Sequence, residues 1–156
     1  MKWVVGYLLG VLVASGAVWF VLDAKHGSEL RQPMPVGLVS FGSKLLIAQF
    51  TQNTAHVQQG LMGRAVKAPE GMVFDFMGSK ACFWMKGTPS PLSAAWLDGS
   101  GKVLGTVEMH PNTLDIHCGP PGTRFGVEAV SGFFAASTVG LTAVGLRFAA
   151  TKVDGS

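Results

Sequence analysis

The sequence is short of charge. Only 13% of its 156 residues are Asp, Glu, Lys or Arg, about half the share of an average soluble domain. The twelve basic residues stand singly rather than in a stripe, and the net charge is only +3. That argues against a nucleic-acid-binding surface. The two cysteines are too few for a disulfide scaffold, and they form no C-x-x-C pair. Glycine recurs too often for a coiled coil, whose heptads it would interrupt. With 48% hydrophobic residues the chain is not of the disordered class. Its length allows one compact domain.

What the sequence does have is one long apolar run. Trp3 to Leu22, WVVGYLLGVLVASGAVWFVL, holds twenty uncharged residues, which as a helix would span about 30 Å, the thickness of a bilayer core. Asp23, Lys25 and His26 end it, and Trp3, Tyr7, Trp19 and Phe20 stand near its ends as interface anchors would. Residues 1–22 are therefore expected to form a transmembrane helix or signal anchor. The competing reading is a cleaved signal peptide, with Ala14-Ser15-Gly16 as a small-residue cleavage site. The run is longer than an ordinary signal core of roughly 7–15 residues, which favours the anchor. A short positive amino terminus before such a run usually stays inside. The expected location is thus the inner membrane, single-pass, with the domain in the periplasm or outside the cell; secretion after cleavage is the alternative.

Residues 23–35 read as a linker, residues 36–150 as a β-rich domain and residues 151–156 as a tail. Apolar runs at 36–41 and 44–50 flank Gly42-Ser43, a hairpin signal. Asn53-Thr54 caps a short helix over 55–62. Strands are expected at 71–76, 81–86, 93–98, 102–109, 123–130 and 145–150, with a second short helix at 132–137. Three prolines and two glycines make 111–122 a loop. The fold class is α+β: a small strand-dominated rolled sheet or barrel with two short helices.

Three blocks in order, QGLMGR (59–64), EGMVFDF (70–76) and FWMKGTPSPL (83–92), resemble the signature of a widespread uncharacterised prokaryotic family. It is the domain-of-unknown-function family numbered one hundred and ninety-two. The similarity continues through Asp98–Val103, Phe125–Glu128 and Gly132, covering roughly residues 36–148. It implies a small β-rich fold, often behind an N-terminal signal or anchor, and no established activity. Gly87 replaces the family's usual asparagine, Ser93 its usual aspartate, and Leu146 the aspartate of a Gly-Asp turn. If those polar groups serve a site, this member has altered it.

The densest polar-aromatic cluster is Phe83-Trp84-Met85-Lys86. Alternation on a strand puts Trp84 and Lys86 on one face and Phe83 and Met85 on the other. Trp84 as an apolar wall and Lys86 as a cation, with Thr88 nearby, suit a small anionic or carbohydrate ligand. Arg64 and Glu128 would complete such a site as anion fork and as general base or orienting carboxylate. The plainer alternative is that Trp84 caps the core while Lys86 or Arg64 pairs with Glu128.

A second constellation gathers Glu108, His110, Asp115, His117 and Cys118, of which His110, His117 and Cys118 are candidate metal ligands, with methionines nearby. No metal-ligand spacing supports it, and methionines at strand positions are usually core filler. Cys82 and Cys118 are candidates for a disulfide in an oxidising compartment, against two isolated buried thiols. No cofactor is implied.

The leading expectation is a membrane-anchored extracytoplasmic binding or accessory domain, with an envelope protein or a small ligand as partner and no nucleic acid. The alternatives are an envelope hydrolase using Glu128 with Arg64 and Lys86, and a metal-binding protein. Residues 33–150 carry eight basic and six acidic side chains, so the low charge belongs to the domain and not only to the apolar run.

Overall fold

A computed structural model describes residues 32–146. The expected anchor at 1–22, most of the linker and the tail lie outside the described residues. Within them, no helix is long and apolar enough to cross a membrane.

Eight strands and one short α-helix carry the fold. Strands β1 (Val36–Phe41) and β2 (Lys44–Phe50) form a hairpin, turned by Gly42 at φ +62°. Helix α1 (Thr54–Gln59) follows; the Asn53 side chain caps it by accepting from His56 N–H, one of the donors a helix start leaves open. His56 is buried, its Nδ1 accepting from Gln52 N–H, and its Nε2 finds no hydrogen-bond partner among the described residues. Strand β3 (Glu70–Asp75) then runs parallel to β2.

Two-residue strands β4 (Cys82–Phe83) and β7 (His117–Cys118) pair as a separate ribbon. Strands β5 (Leu92–Leu97) and β6 (Val103–Met109) form the second hairpin. Its loop is organised by Asp98, whose Oδ1 accepts from the Ser100 hydroxyl at 2.6 Å and from the N–H groups of Ser100 and Lys102. Those bonds, the Ser100 hydroxyl foremost, hold the Asp98 carboxyl below its usual range. Strand β8 (Phe125–Val130) inserts between β3 and β5, antiparallel to both. The main sheet is mixed, in the order β1-β2-β3-β8-β5-β6.

The sheet does not close into a barrel, which corrects one of the two expected forms. Strands β1 and β6 are its edges, and among the described residues isolated bridges, Ser40 to Val144 and Lys102 to Thr142, reach them from the C-terminal segment. Flanking bonds such as Val103 N–H to Leu141 O support those bridges; the strand expected at 145–150 lies mostly outside the described residues. The helix expected at 132–137 shrinks to a 3-10 turn at Ala136–Thr138. The reason is local: Gly132 stands at φ +80° and Ala135 is extended at φ −93°, ψ 165°, both outside the helical region, so no helical ladder runs through the segment. The strand expected at 81–86 is cut to two residues because the chain turns at Met85–Thr88, with Gly87 at φ +65°.

Alternation along the strands sorts two cores onto the two faces of the sheet. One contains Val39, Phe41, Leu46, Ala48, Phe50, Val73, Ala95, Leu97, Val127 and Ala129, with Phe134 and Ala143 packed in from the C-terminal segment. The other contains Met72, Phe74, Ala94 and Trp96, covered by Leu61 after α1, by Phe83 of the ribbon and by Met85 in the segment that follows it. Strand β5 is buried at all six positions, as a strand with both faces covered must be. Each large side chain so buried stabilises the fold by roughly 1.5–3 kcal/mol. The hairpin β1–β2 lacks such a cover on one side, where Val36, Leu38, Leu45 and Ile47 are exposed.

Candidate functional site

The second core is not filled. Between the sheet, the end of α1 and the ribbon lies a cavity of about 300 Å³, within the size range of small-molecule sites. Its floor comes from β3 and β8. The alternation of EGMVFDF puts Met72, Phe74 and Phe76 on the covered face, and the register sets Met72 of β3 beside Glu128 of β8. On the other side of Glu128 stands Ala94 of β5.

Glu128 borders the cavity and is only 4% exposed. No hydrogen bond or ion pair reaches its carboxyl among the described residues. Burial alone pushes its pKa up to about 8, since a charge in an apolar wall loses its hydration without compensation. The side chain is thus mainly a neutral carboxylic acid at pH 7, able to donate a hydrogen bond.

Around it the rings of Phe74, Phe76 and Phe83 pack with centroids 5.0–6.2 Å apart. Gly126 makes this possible, because a Cβ there would stand 2.5 Å from Phe83 Cζ. Gly60, the C-cap of α1, leaves the opposite wall bare: a Cβ there would lie 3.5 Å from the Phe74 ring and 4.0 Å from Glu128 Oε2. Trp84 and Lys86 border the cavity from the segment after β4. Lys86 Nζ lies 5.2 Å from the centre of the Trp84 ring, a cation–π contact. Phe83 and Met85 turn inward and Trp84 and Lys86 outward, the alternation that the sequence predicts.

Of the five expected ligand contacts, Trp84, Lys86, Thr88 and Glu128 border one cavity. Arg64 does not: its guanidinium donates to Gln49 Oε1 on β2. Neither Arg64 nor Lys86 pairs with Glu128, so the plainer alternative of a closed ion pair is not what the fold builds. Sequence reasoning missed Gly60, Phe74, Phe76 and Lys80, which also border the cavity. The signal for the two phenylalanines was present in the alternation of EGMVFDF.

Cys82 and Cys118 are joined by a disulfide, S–S 2.07 Å, directly across the ribbon. Cys118 is therefore unable to ligate a metal as a thiolate. Glu108 accepts from Ser131 and Gly132. Among the described residues no three His, Cys, Asp or Glu side chains are grouped to hold an ion, so His110, His117 and Cys118 form no metal centre there.

Gly87, Ser93 and Leu146, expected from the resemblance to depart from the family pattern, lie outside the cavity lining. Ser93 is fully buried on the opposite core, accepting from Phe134 N–H and donating to Val130 O. Gly145 packs against β1, where a Cβ would collide with Leu38 O. Leu146 is partly buried against the first core.

A family model covers residues 39–143, almost the whole described sheet and ribbon. The chain belongs to the DUF192 family. That family is described as an uncharacterized ACR. Two solved structures share the fold. One is a protein of unknown function from Novosphingobium aromaticivorans DSM 12444, at 22% identity and a TM-score of 0.61, covering 70% of this chain and 84% of that one. The other is a putative transcription regulator from Sinorhizobium meliloti 1021, at 21% identity and a TM-score of 0.65, covering 74% and 97%. At such identities the likeness extends to the fold alone. No curated protein gives a significant match. The chain is thus a DUF192 domain whose aromatic cavity is described by its own side chains.

Proposed function

We propose that this DUF192 protein is a membrane-anchored extracytoplasmic binding domain that takes a small anionic or carbohydrate-like ligand into the cavity beside Glu128. The observation that carries the reading is the convergence of Trp84, Lys86, Thr88 and Glu128 on one opening of about 300 Å³. An aromatic wall, one cation and one neutral acid make a recognition surface. The hydrolytic alternative asks Arg64 to share the site, and Arg64 is engaged with Gln49. Binding therefore fits these side chains better than bond cleavage.

The anchoring part of the proposal is supported by the twenty uncharged residues from Trp3 to Leu22 and by the low charge of the domain. A periplasmic or external location also suits the disulfide. A fusion of the full chain to a reporter active only outside the cytoplasm tests it: activity in the membrane fraction is expected, and a soluble cytoplasmic product overturns it. For binding, full-length protein in a neutral detergent is titrated with monosaccharides and small carboxylates while tryptophan emission is followed. Trp84 is expected to report saturable binding that Trp84→Phe abolishes. No response to any probe overturns the reading.

A further inference from the structure

We infer that the ligand is a small zwitterion, its ammonium end seated among the aromatic rings beside Glu128 and its anionic end at Lys86. This deepens the binding proposal and rests on it.

The argument begins with a missing partner. A carboxyl group in an apolar wall is unfavourable unless something hydrogen-bonds or neutralises it. Glu128 is 4% exposed, and the protein offers it neither, among the described residues. None of the cations in the same region pairs with Glu128: Arg124 is bonded to Asp75 at 2.8 Å, Arg64 to Gln49, Lys86 lies over Trp84, and Lys80, which borders the cavity, makes no ion pair among the described residues. The position for a positive charge at Glu128 is thus left to the ligand.

The walls select the same charge. Phe74, Phe76 and Phe83 line the same cavity as the acid, and aromatic faces attract cations. Gly60 leaves the approach to Glu128 Oε2 without a side chain. The remaining charged groups that border the cavity are Asp75, Lys80 and Lys86. Asp75 is bonded to Arg124, which leaves two lysines. The cavity is thus acidic and aromatic beside Glu128 and basic where the lysines border it. A purely anionic ligand satisfies only the lysines, and a purely cationic one only the acid. A molecule carrying both charges a few bonds apart satisfies both, and the cavity volume suits one of amino-acid, betaine or phosphocholine size.

Entry of an ammonium group requires the acid to ionise. Glu128-COOH and the ammonium give a carboxylate–ammonium pair, and the proton passes to the buffer. Below pH 8 binding therefore releases up to one proton, and affinity rises from pH 6 to pH 8.

The test uses the full chain in a neutral detergent and four soluble probes: phosphocholine, glycine betaine, choline and acetate. Titration calorimetry in two buffers of different ionisation enthalpy gives affinity and proton release together. Phosphocholine or betaine is expected to bind at least tenfold more tightly than choline or acetate, with proton release at pH 7. Glu128→Gln is expected to remove that preference and the proton release. Lys86→Met, at an exposed position, is expected to weaken the zwitterions and spare choline. Monomeric dihexanoyl-phosphatidylcholine distinguishes the source: binding tighter than phosphocholine identifies a lipid headgroup, and weaker binding a free metabolite. Acetate binding as tightly as the zwitterions, or a zwitterion preference that survives Glu128→Gln, overturns the inference and leaves the binding proposal standing. If these probes and the monosaccharides all fail to bind, both fall.

Discussion

Gly126 lies directly under Phe83: a Cβ on the glycine would stand 2.5 Å from the ring's Cζ and 2.8 Å from Phe76 Cε2. The contact joins the main sheet to the disulfide-linked ribbon and sets how deep the ribbon can seat. Gly126→Ala is expected to lift Phe83 off the sheet. Overpacking of this kind costs typically 1–3 kcal/mol, read as a lower urea midpoint with an unchanged slope.

Glu128 makes stability depend on pH in an unusual direction. In the unfolded chain its carboxyl ionises at the ordinary value of 4.5, whereas in the fold it stays protonated up to about 8. Between those values the folded state binds the extra proton, so its contribution is full below pH 4.5 and is lost as the pH rises towards 8. Within that window the slope from this group is about 1.4 kcal/mol per pH unit. Urea melts from pH 5 to pH 8 are expected to show a falling stability in the parent and a flatter profile in Glu128→Gln. An identical slope in both proteins contradicts the neutral-acid assignment.

The ribbon pairs only two residues on each side, and the Cys82–Cys118 bond closes a loop of sequence separation 36. Reduction, or the double change to serine, is expected to destabilise the domain by roughly 3–4 kcal/mol on the chain-entropy account. Hydrogen exchange at Phe83 and Met85 measures whether the loss is concentrated in the ribbon. Intact mass with and without reductant gives the redox state.

Ser93 is expected to be a structural and not a ligand-contacting position. Its hydroxyl satisfies Phe134 N–H and Val130 O at 3.2 and 3.1 Å in a fully buried setting. Ser93→Ala leaves the Phe134 N–H unpaired, while Val130 O keeps the Phe133 N–H; it is expected to cost about 1–3 kcal/mol, with ligand affinity unchanged in the titrations above.

The strands were legible because alternation is a local property. Leu38, Val39 and Phe41 on β1, or Met72 and Phe74 on β3, declare their faces without reference to the rest of the chain. The hairpins at Gly42 and Asp98 were legible for the same reason. The sheet order was not, because β8 enters between β3 and β5 from far along the sequence and no short-range pattern encodes that insertion. The cluster Trp84, Lys86, Thr88 and Glu128 was found from side-chain chemistry. Arg64 was drawn into it by its place in the QGLMGR block, although nearness in a motif does not fix where a long side chain points. The 132–137 segment misled because its capping signal at Ser131 is spent on Glu108, a partner that only the folded sheet supplies.

The position of β8 in the sheet also fixes when the domain can exist during synthesis. Residues 125–130 pair with 71–75 on one side and 92–97 on the other. Until they emerge, β3 and β5 each present an unsatisfied edge, the kind of surface that invites wrong pairing. Such distant partners make for slow assembly. The strand that completes the sheet also delivers Glu128. The domain and its cavity are finished in the same late step.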